Sequence, residues 1–277
     1  MNSILQISEI LLGAIAGFIG MGWLGLKIKP ASFPPHPEEP TQDFGTVELP
    51  ENMPPQMQHY CHAIYGERIP KIESAAIWGR AKFKLSGLQT FLRFKTYYRQ
   101  NEFCRYMELT WFGIPIFKAA DSYLDNSGKM AGKGLVSFTE TGEKIDQGAT
   151  LNLWAETLVW LPAMLVNDSN IQWKVVDENT VGVGIPWRDR TETLWVKFDP
   201  QTHLISELFA MRYRGQEESK TSWKATGSNW QQFDSTKLLS PNVVRWEDEP
   251  TPYWIGNLDG VAYNVDISPK TLAEKVE

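Results

Sequence analysis

The stretch at residues 151–165 reads LNLWAETLVWLPAML and is apolar except for Asn152, Glu156 and Thr157. It is too short to cross a bilayer, which takes about 20 apolar residues. It is also too apolar for a helix with one face in water, so it predicts a helix buried on most sides. Because Pro162 has no N–H for the helical hydrogen bond, we expect the helix to kink or end there.

Most of the chain around this helix has the pattern of short β-strands. Alternating or β-rich segments recur at short spacing with turn residues between them, and there is no βαβ rhythm. A short helix is predicted at 56–66, closed by Gly66. We therefore expect a mainly β (α+β) fold, in which a curved antiparallel sheet or half-open barrel wraps the hydrophobic helix. The predicted strands are 75–85, 90–98, 105–111, 116–124, 130–139, 171–176, 180–185, 193–198, 204–213, 220–233, 239–247 and 253–265.

The beginning of the chain is expected to be a membrane anchor followed by a linker. Residues 10–26 carry no charge, and Trp23, Lys27 and Lys29 stand at the end of this run as interface residues do. The two lysines favour a cytoplasmic domain under the positive-inside rule, although two residues leave the side nearly open. The expected divisions are a single-pass transmembrane anchor at 1–28, a proline-rich acidic linker at 29–55 and a β-rich domain at 56–277.

Composition and motifs argue against several functions. The net charge is −6, and residues 30–55 hold five acids and no Lys or Arg, whereas the rest of the chain after them is nearly balanced. A balanced domain gives no electrostatic surface for nucleic acid. No nucleotide, nucleophile-elbow or metalloprotease motif is present, so we name no catalytic residue and expect no cofactor. His59 and His62 are three residues apart but no third ligand is evident, so no metal site is predicted. Cys61 and Cys104 form either one bridge or two buried free thiols, and the thiols are the favoured reading.

Charged residues near the predicted helix leave alternatives open. In an apolar cavity, loss of water would raise the pKa of Glu156 and fit it to bind a polar headgroup or an amine. Asn152 and Glu156 are four residues apart, so they can equally form one solvated stripe of the helix. Arg212 and Arg214 are two apart on one strand and share a face. They either pair with Glu156 or clamp an anion, or they belong to a polar outer face of the sheet.

The chain contains twelve tryptophans, which is a large number for its length. Those late in the chain are Trp223, Trp230, Trp246 and Trp254, and most of them should lie in the core while a minority line a cavity or an interface. Together with the charged residues they give the predicted ligand site. The candidate ligand-binding residues are Glu156, Trp160, Trp154, Tyr123, Arg212, Arg214 and Trp254.

Several short motifs between residues 50 and 267 occur together. They are Ile77-Trp78-Gly79-Arg80-Ala81, Met107-Glu108-Leu109-Thr110-Trp111-Phe112-Gly113, Asp121-Ser122-Tyr123, Gly128-Lys129-Met130, Ala155-Glu156 with Trp160-Leu161-Pro162, and Pro252-Tyr253-Trp254. With these motifs the chain resembles a family of bacterial membrane-anchored proteins of unknown function. The resemblance implies no established activity. The expected architecture is similar to that of periplasmic lipoprotein carriers, which hold acyl chains, and this analogy implies only a hypothesis about the ligand.

Three hypotheses of function follow from these patterns. The leading one is a membrane-anchored, non-catalytic β-domain that binds a hydrophobic or lipid-like ligand between its sheet and the helix at 151–165. The alternative is a structural or assembly subunit, in which the anchor docks the domain onto a membrane-protein partner. An enzyme is the third and is not favoured, because Glu156 beside Arg212 or Arg214 would be its whole basis.

Overall fold

The structure is a computed structural model that describes residue 17 and residues 20–37, 44–85, 87–166, 171–234 and 236–275. Within these residues the chain is mainly β, as predicted, with one thirteen-stranded antiparallel sheet and a few helices. Besides the helical residues 20–27, the helices are α1 (Pro55–Tyr65), α2 (Glu143–Trp160) and α3 (Pro269–Ala273), and Pro162–Leu165 forms a 3-10 turn.

Eight strands precede α2 and nine follow it. The first group is β1 (Thr46–Val47), β2 (Ile69–Pro70), β3 (Ser74–Leu85), β4 (Leu88–Arg99), β5 (Glu102–Trp111), β6 (Ile114–Leu124), β7 (Ser127–Lys133) and β8 (Phe138–Thr141). The second group is β9 (Gln172–Asp177), β10 (Thr180–Trp187), β11 (Arg190–Phe198), β12 (Ile205–Tyr213), β13 (Lys220–Thr226), β14 (Trp230–Phe233), β15 (Thr236–Leu239), β16 (Asn242–Trp246) and β17 (Trp254–Tyr263). Strands β1 and β2 pair with each other, as do β14 and β15.

The main sheet curves around α2. Its strand order is β8-β7-β6-β5-β4-β3-β17-β16-β13-β12-β11-β10-β9, so β8 and β9 are its two edges. Helix α2 contacts β6, β7 and β8 near one edge and β10, β11 and β12 near the other. Neighbouring strands lie about 4.8 Å apart and a helix is only about 10 Å wide. A flat sheet of this size would hold its edges far beyond the reach of one helix, so the sheet bends round it.

Helix α2 begins earlier than the sequence predicts. The apolar pattern predicts it at 151–165, but the helix starts at Glu143. The reason is that polar side chains of its first turns have hydrogen-bond partners elsewhere in the fold. Asp146 accepts hydrogen bonds from the backbone N–H of Gly128 at 2.8 Å and from Arg188 Nη2 at 2.7 Å. The helix ends at Trp160, before Pro162, as predicted.

Three predicted strands are each divided in the structure. The segment at 130–139 becomes the end of β7 and the start of β8, while 220–233 and 239–247 become the four strands β13 to β16. The chain leaves the main sheet after Thr226 and returns to it at Asn242. Between these residues, β14 and β15 pair only with each other. This β14–β15 hairpin therefore forms a separate small sheet beside the C-terminal end of α2.

The predicted single-pass anchor at residues 1–28 is wrong. Within the described part of the chain, no helix is both long enough and apolar enough to cross a membrane. Residues 1–16 and 18–19 of the predicted anchor lie outside the described residues. Residues 20–27 are helical, and the Trp111 indole N–H donates to the Gly22 carbonyl at 3.1 Å. The prediction of a membrane location, on either side, is withdrawn with the anchor.

The two cysteines lie in different hydrophobic clusters. Cys61 belongs to the main core with α1, and Cys104 belongs to a smaller cluster that includes Leu272 of α3. Both are free thiols and both are buried. Burial raises the pKa of each thiol to about 12. The reading as two buried free thiols is confirmed, and neither thiol is ionised at neutral pH.

Candidate functional site

The polar stripe of α2 faces the inside of the fold. Gly148, Asn152 and Glu156 recur every four residues and therefore lie on one face of the helix. Asn152 is 7% exposed, and the Glu156 side chain is 12% exposed. The reading of this stripe as solvated therefore does not describe the fold. Instead, the helix places a carboxylate between itself and the sheet.

Glu156 is held by a cluster of polar side chains. The Tyr98 hydroxyl donates to Oε2 at 2.6 Å, and the guanidinium of Arg105 pairs with Oε1. Asn152 Nδ2 donates to the same Oε1 at 3.3 Å. The other terminal nitrogen of Arg105 lies 4.0 Å from Oδ2 of Asp121. One buried guanidinium thus serves two carboxylates, one from the helix and one from the sheet.

Strand register explains why these residues meet. Arg105 on β5 stands opposite Asp121 on β6 and opposite Thr96 on β4. Tyr98 lies two residues from Thr96 on β4, so it points to the same face of the sheet. That face is the one that α2 covers. Because side chains alternate between the two faces of a strand, polar side chains of β4, β5 and β6 form a row on the face beneath the helix.

Burial dominates the electrostatics of the cluster. It raises the pKa of Glu156, and Arg105 and the Tyr98 hydrogen bond only partly oppose it. It likewise raises the pKa of Asp121, against the attraction of Arg105 and Arg212. Burial would lower the pKa of Arg105, but the nearby Glu156, Tyr98 and Asp121 outweigh it and the pKa rises. Arg105 therefore stays charged, while the two carboxyls hold their protons to a higher pH than in water.

The two candidate arginines have different surroundings, and neither is the ion-pair partner of Glu156. Arg214 pairs with Asp248 and lies 3.4 Å from Oε1 of Glu249. The Arg212 guanidinium lies over the Trp223 ring, 5.2 Å from its centroid. The Arg212 Nε atom is buried without a hydrogen-bond partner. Arg212 therefore belongs to the interior beneath α2, whereas Arg214 belongs to a peripheral charge cluster.

A small cavity of about 30 Å³ lies beside the polar stripe. Its helix wall is formed by one face of α2 and its other walls by the opposing strands and the base of the β14–β15 hairpin. Most of its lining is apolar, and Glu156 and Asn152 supply polar groups at the helix side. The residues that line it are Asn152, Ala155, Glu156, Val159, Trp160, Ile205, Ser206, Leu208, Trp223, Ala225, Thr226, Gly227, Leu239, Asn242 and Val244.

The other predicted site residues are buried, but only Trp160 lines this cavity. Its indole N–H donates to the Leu239 carbonyl at 3.2 Å, which ties α2 to β15. Trp254 supports the polar cluster, because the Arg105 guanidinium lies 5.5 Å from its ring centroid. Trp154 and Tyr123 pack in the main hydrophobic core. The structure thus brings together Glu156, Trp160 and Trp254 but leaves Arg214 at the periphery.

Sequence reasoning missed the sheet side of the cluster. Tyr98, Arg105 and Asp121 all lie in segments that were predicted as strands or next to them, but their faces were not compared. Arg105 shares its face with the apolar Phe103 and Met107, which pack in or against the main core. A charged residue at an inward position of an otherwise apolar strand face is the signal that would have found it.

The fold and site define a mainly β domain that encloses a helix, a polar cluster and a small apolar cavity. The chain belongs to the family of unknown function DUF6544, whose pattern matches residues 43–256. The family resemblance drawn from the motifs is thereby confirmed. No curated protein matches the chain.

Several solved structures have a similar fold at low sequence identity. A DUF1329 family protein from Desulfovibrio piger ATCC 29098 is 11% identical, with 74% of this chain and 92% of that chain covered and a TM-score of 0.44. A putative outer membrane lipoprotein-sorting protein domain from Vibrio parahaemolyticus is 7% identical, with coverage of 74% and 91% and a TM-score of 0.44. A LolA superfamily protein from Nitrosomonas europaea is 9% identical, with coverage of 78% and 95% and a TM-score of 0.44. At this identity and TM-score, the likeness says nothing about a ligand of this chain.

Proposed function

We propose that this protein binds a hydrophobic or lipid-like ligand between α2 and strands β12, β13 and β16, without altering it chemically. The observation that carries the proposal is the apolar cavity that lies directly against the inward-facing polar stripe of α2. Small-molecule sites in proteins combine apolar walls with a few convergent polar groups in this way. Glu156 and Asn152 are the polar groups here, and Trp160 and Trp223 are the large apolar ones.

The buried polar cluster supports a binding role over a purely structural one. Replacing a buried ion pair by well-packed apolar residues is often neutral or stabilising, so such a pair contributes little to folding by itself. The Glu156–Arg105 pair lies in a core that is otherwise built from aliphatic and aromatic side chains. Polar groups beside a mostly apolar cavity fit a site for an amphiphilic ligand.

The cavity must widen to accept such a ligand. At about 30 Å³ it has room for one or two water molecules, whereas sites for drug-sized ligands measure about 300–1,000 Å³. Gly227 and Leu239 line the cavity, and the β14–β15 hairpin connects them. Because this hairpin is not hydrogen-bonded into the main sheet, we propose that it moves away from α2 when the ligand enters. The Trp160–Leu239 hydrogen bond would break in that step.

Native mass spectrometry of the full chain, purified without added detergent, tests the proposal. We expect a bound small molecule that organic solvent extracts. The variant Ala225→Ile adds volume at a half-buried cavity wall and should lose the molecule. Ala262→Ile adds the same volume at a half-buried position of β17 that does not line the cavity, and it should keep the molecule. Equal ligand content in both variants would contradict this location, and protein that is always empty would contradict the function.

A further inference from the structure

Among the described residues, Arg212 differs from the other two arginines of the region in having no carboxylate within ion-pair distance. Arg105 pairs with Glu156, and Arg214 pairs with Asp248 and Glu249. Within the described residues, Arg212 has no acidic partner within 4.0 Å. The Nε atoms of Arg212 and Arg214 are both buried without an acceptor, but the terminal nitrogens of Arg214 have the carboxylates of Asp248 and Glu249. Its fork of N–H groups matches the planar geometry of a carboxylate or phosphate. A partly buried guanidinium without an acceptor is the arrangement that an anion completes.

The surroundings of Arg212 hold its guanidinium in place. It lies over the rings of Trp223 and Trp246, 5.2 and 5.9 Å from their centroids. On the helix side, a Cβ added at Gly148 would lie 3.1 Å from Nε, so the absence of a side chain there leaves room for the guanidinium. Stacking of this kind fixes a guanidinium plane without using its hydrogen-bond donors. The fork is therefore oriented before any ligand arrives.

Of the two arginines that face α2 from the sheet, Arg105 is the one within ion-pair distance of carboxylates among the described residues, and Arg212 is not. Asp121 attracts both Arg105 and Arg212, but Arg105 is the one within ion-pair distance of it. Trp223 connects Arg212 to the cavity, because this tryptophan lines the cavity and lies under the guanidinium. An anionic group near Arg212 could thus belong to a molecule whose apolar part occupies the cavity.

We propose that Arg212 binds an oxyanion, a carboxylate or a phosphate, at the polar end of the hydrophobic ligand. This inference rests on the proposed function, since it places the apolar part of the same molecule between α2 and β13. It narrows the ligand class to anionic amphiphiles. Uncharged and cationic amphiphiles are disfavoured, because they leave the partly buried guanidinium of Arg212 without an anionic acceptor.

The test compares two probes with the same acyl chain, the anionic 9,10-dibromostearic acid and its uncharged methyl ester. Bromine close to Trp160 and Trp223 should quench tryptophan fluorescence of the full chain, which gives an affinity for each probe. We expect the acid to bind at least tenfold more tightly than the ester. In Arg212→Gln the affinity for the acid should fall to the affinity for the ester. An unchanged affinity for the ester shows that the fold and cavity are intact. Arg212→Lys should recover part of the preference, because it restores the charge but not the fork.

The matched control is Arg214→Gln, which removes an arginine two residues along the same strand that already has acidic partners. It should keep the full preference for the acid. Equal binding of acid and ester to the unaltered protein would overturn the anion site while leaving the proposed function standing. If neither probe binds, both fall. Competition by sodium phosphate alone distinguishes the sources: no displacement at millimolar concentration supports the amphiphile, and displacement supports Arg212 as a site for a free anion.

Discussion

Arg105 is the residue on which the interior electrostatics depend. It is the cation closest to both Glu156 and Asp121, and its side chain is only 8% exposed. Removing one partner of a buried ion pair leaves an uncompensated charge, which costs more than the pair contributes. Loss of one partner therefore destabilises the protein, even though the intact pair adds little net stability.

We predict that Arg105→Met lowers the free energy of unfolding at pH 7 by about 3 kcal/mol. Without Arg105 the pKa values of Glu156 and Asp121 rise further, since this cation opposes the effect of burial on both. A carboxyl whose pKa is raised in the folded state contributes stability at low pH and loses it as pH rises through the folded pKa. The deficit of the variant should therefore shrink between pH 7 and pH 5.

Urea unfolding at the two pH values measures this effect. Arg190→Met is the control, because Arg190 is 53% exposed and pairs with the exposed Glu143, so its loss should cost less than about 1 kcal/mol at either pH. A loss of unfolding free energy in Arg105→Met that stays constant or grows toward pH 5 would contradict the role of Arg105 in lowering the pKa values of Glu156 and Asp121.

Individual residues were only partly predictable from the sequence. Glu156 was identified because a lone carboxylate interrupts an apolar run, but the run left open whether it is buried or part of a solvated stripe. Its partner Arg105 lies 51 positions away on a strand, and nothing local to either residue indicates the pairing. Asp146 was not singled out, because its partners Gly128 and Arg188 lie far from it in the sequence. A polar residue that is buried with hydrogen-bond partners from distant parts of the chain cannot be distinguished from an exposed one by local sequence.

At the scale of elements, the β14–β15 hairpin, like the β1–β2 pair, has no strand pairing with the main sheet. Its strands pair only with each other, so their backbone hydrogen bonds lack support from a third strand. An isolated two-stranded hairpin is marginally stable, and packing must hold it in place. The Trp160 indole and the burial of Leu238 provide that packing here.

We predict that backbone amides of β14 and β15 exchange with deuterium at least tenfold faster than those of β12 and β13, which lie between neighbours in the main sheet. Trp160→Phe removes the indole donor to Leu239 and should accelerate exchange in the hairpin further. Hydrogen–deuterium exchange followed by mass spectrometry measures both effects. Slow exchange in the hairpin, equal to that of β12 and β13, would mean that the ligand enters by another route.

Elements were more predictable than their boundaries. The period-two pattern located most strands because one face of each packs against α2 or a second cluster. It could not separate β13 from β14 or β15 from β16, since both parts of each pair keep β-rich composition. Composition also led to the anchor prediction. In the described residues of that segment, the Gly22 and Gly25 carbonyls accept hydrogen bonds from Trp111 and Phe112, and composition does not indicate such contacts.

At the scale of the whole molecule, one long helix joins the two ends of an open sheet. Gln147 shows how: its side-chain amide donates to Glu192 and to the Met211 carbonyl and accepts from the Tyr213 N–H. Asp146 accepts a hydrogen bond from the Gly128 N–H and thereby joins the helix to β7. These contacts fix the N-terminal half of α2, while the cavity lies along its C-terminal half. The fold can therefore open beside the C-terminal half of α2, where these contacts are absent from the cavity side.

The central claim is that an apolar guest occupies the space between α2 and β13. The most direct measurement is the position of the bromine anomalous signal in crystals grown with methyl 9,10-dibromostearate, which is uncharged and so independent of Arg212. The claim predicts a peak between Trp160 and Trp223. Bromine found only on exposed apolar side chains such as Ile114 and Leu135, with the space beside α2 unchanged, would contradict it.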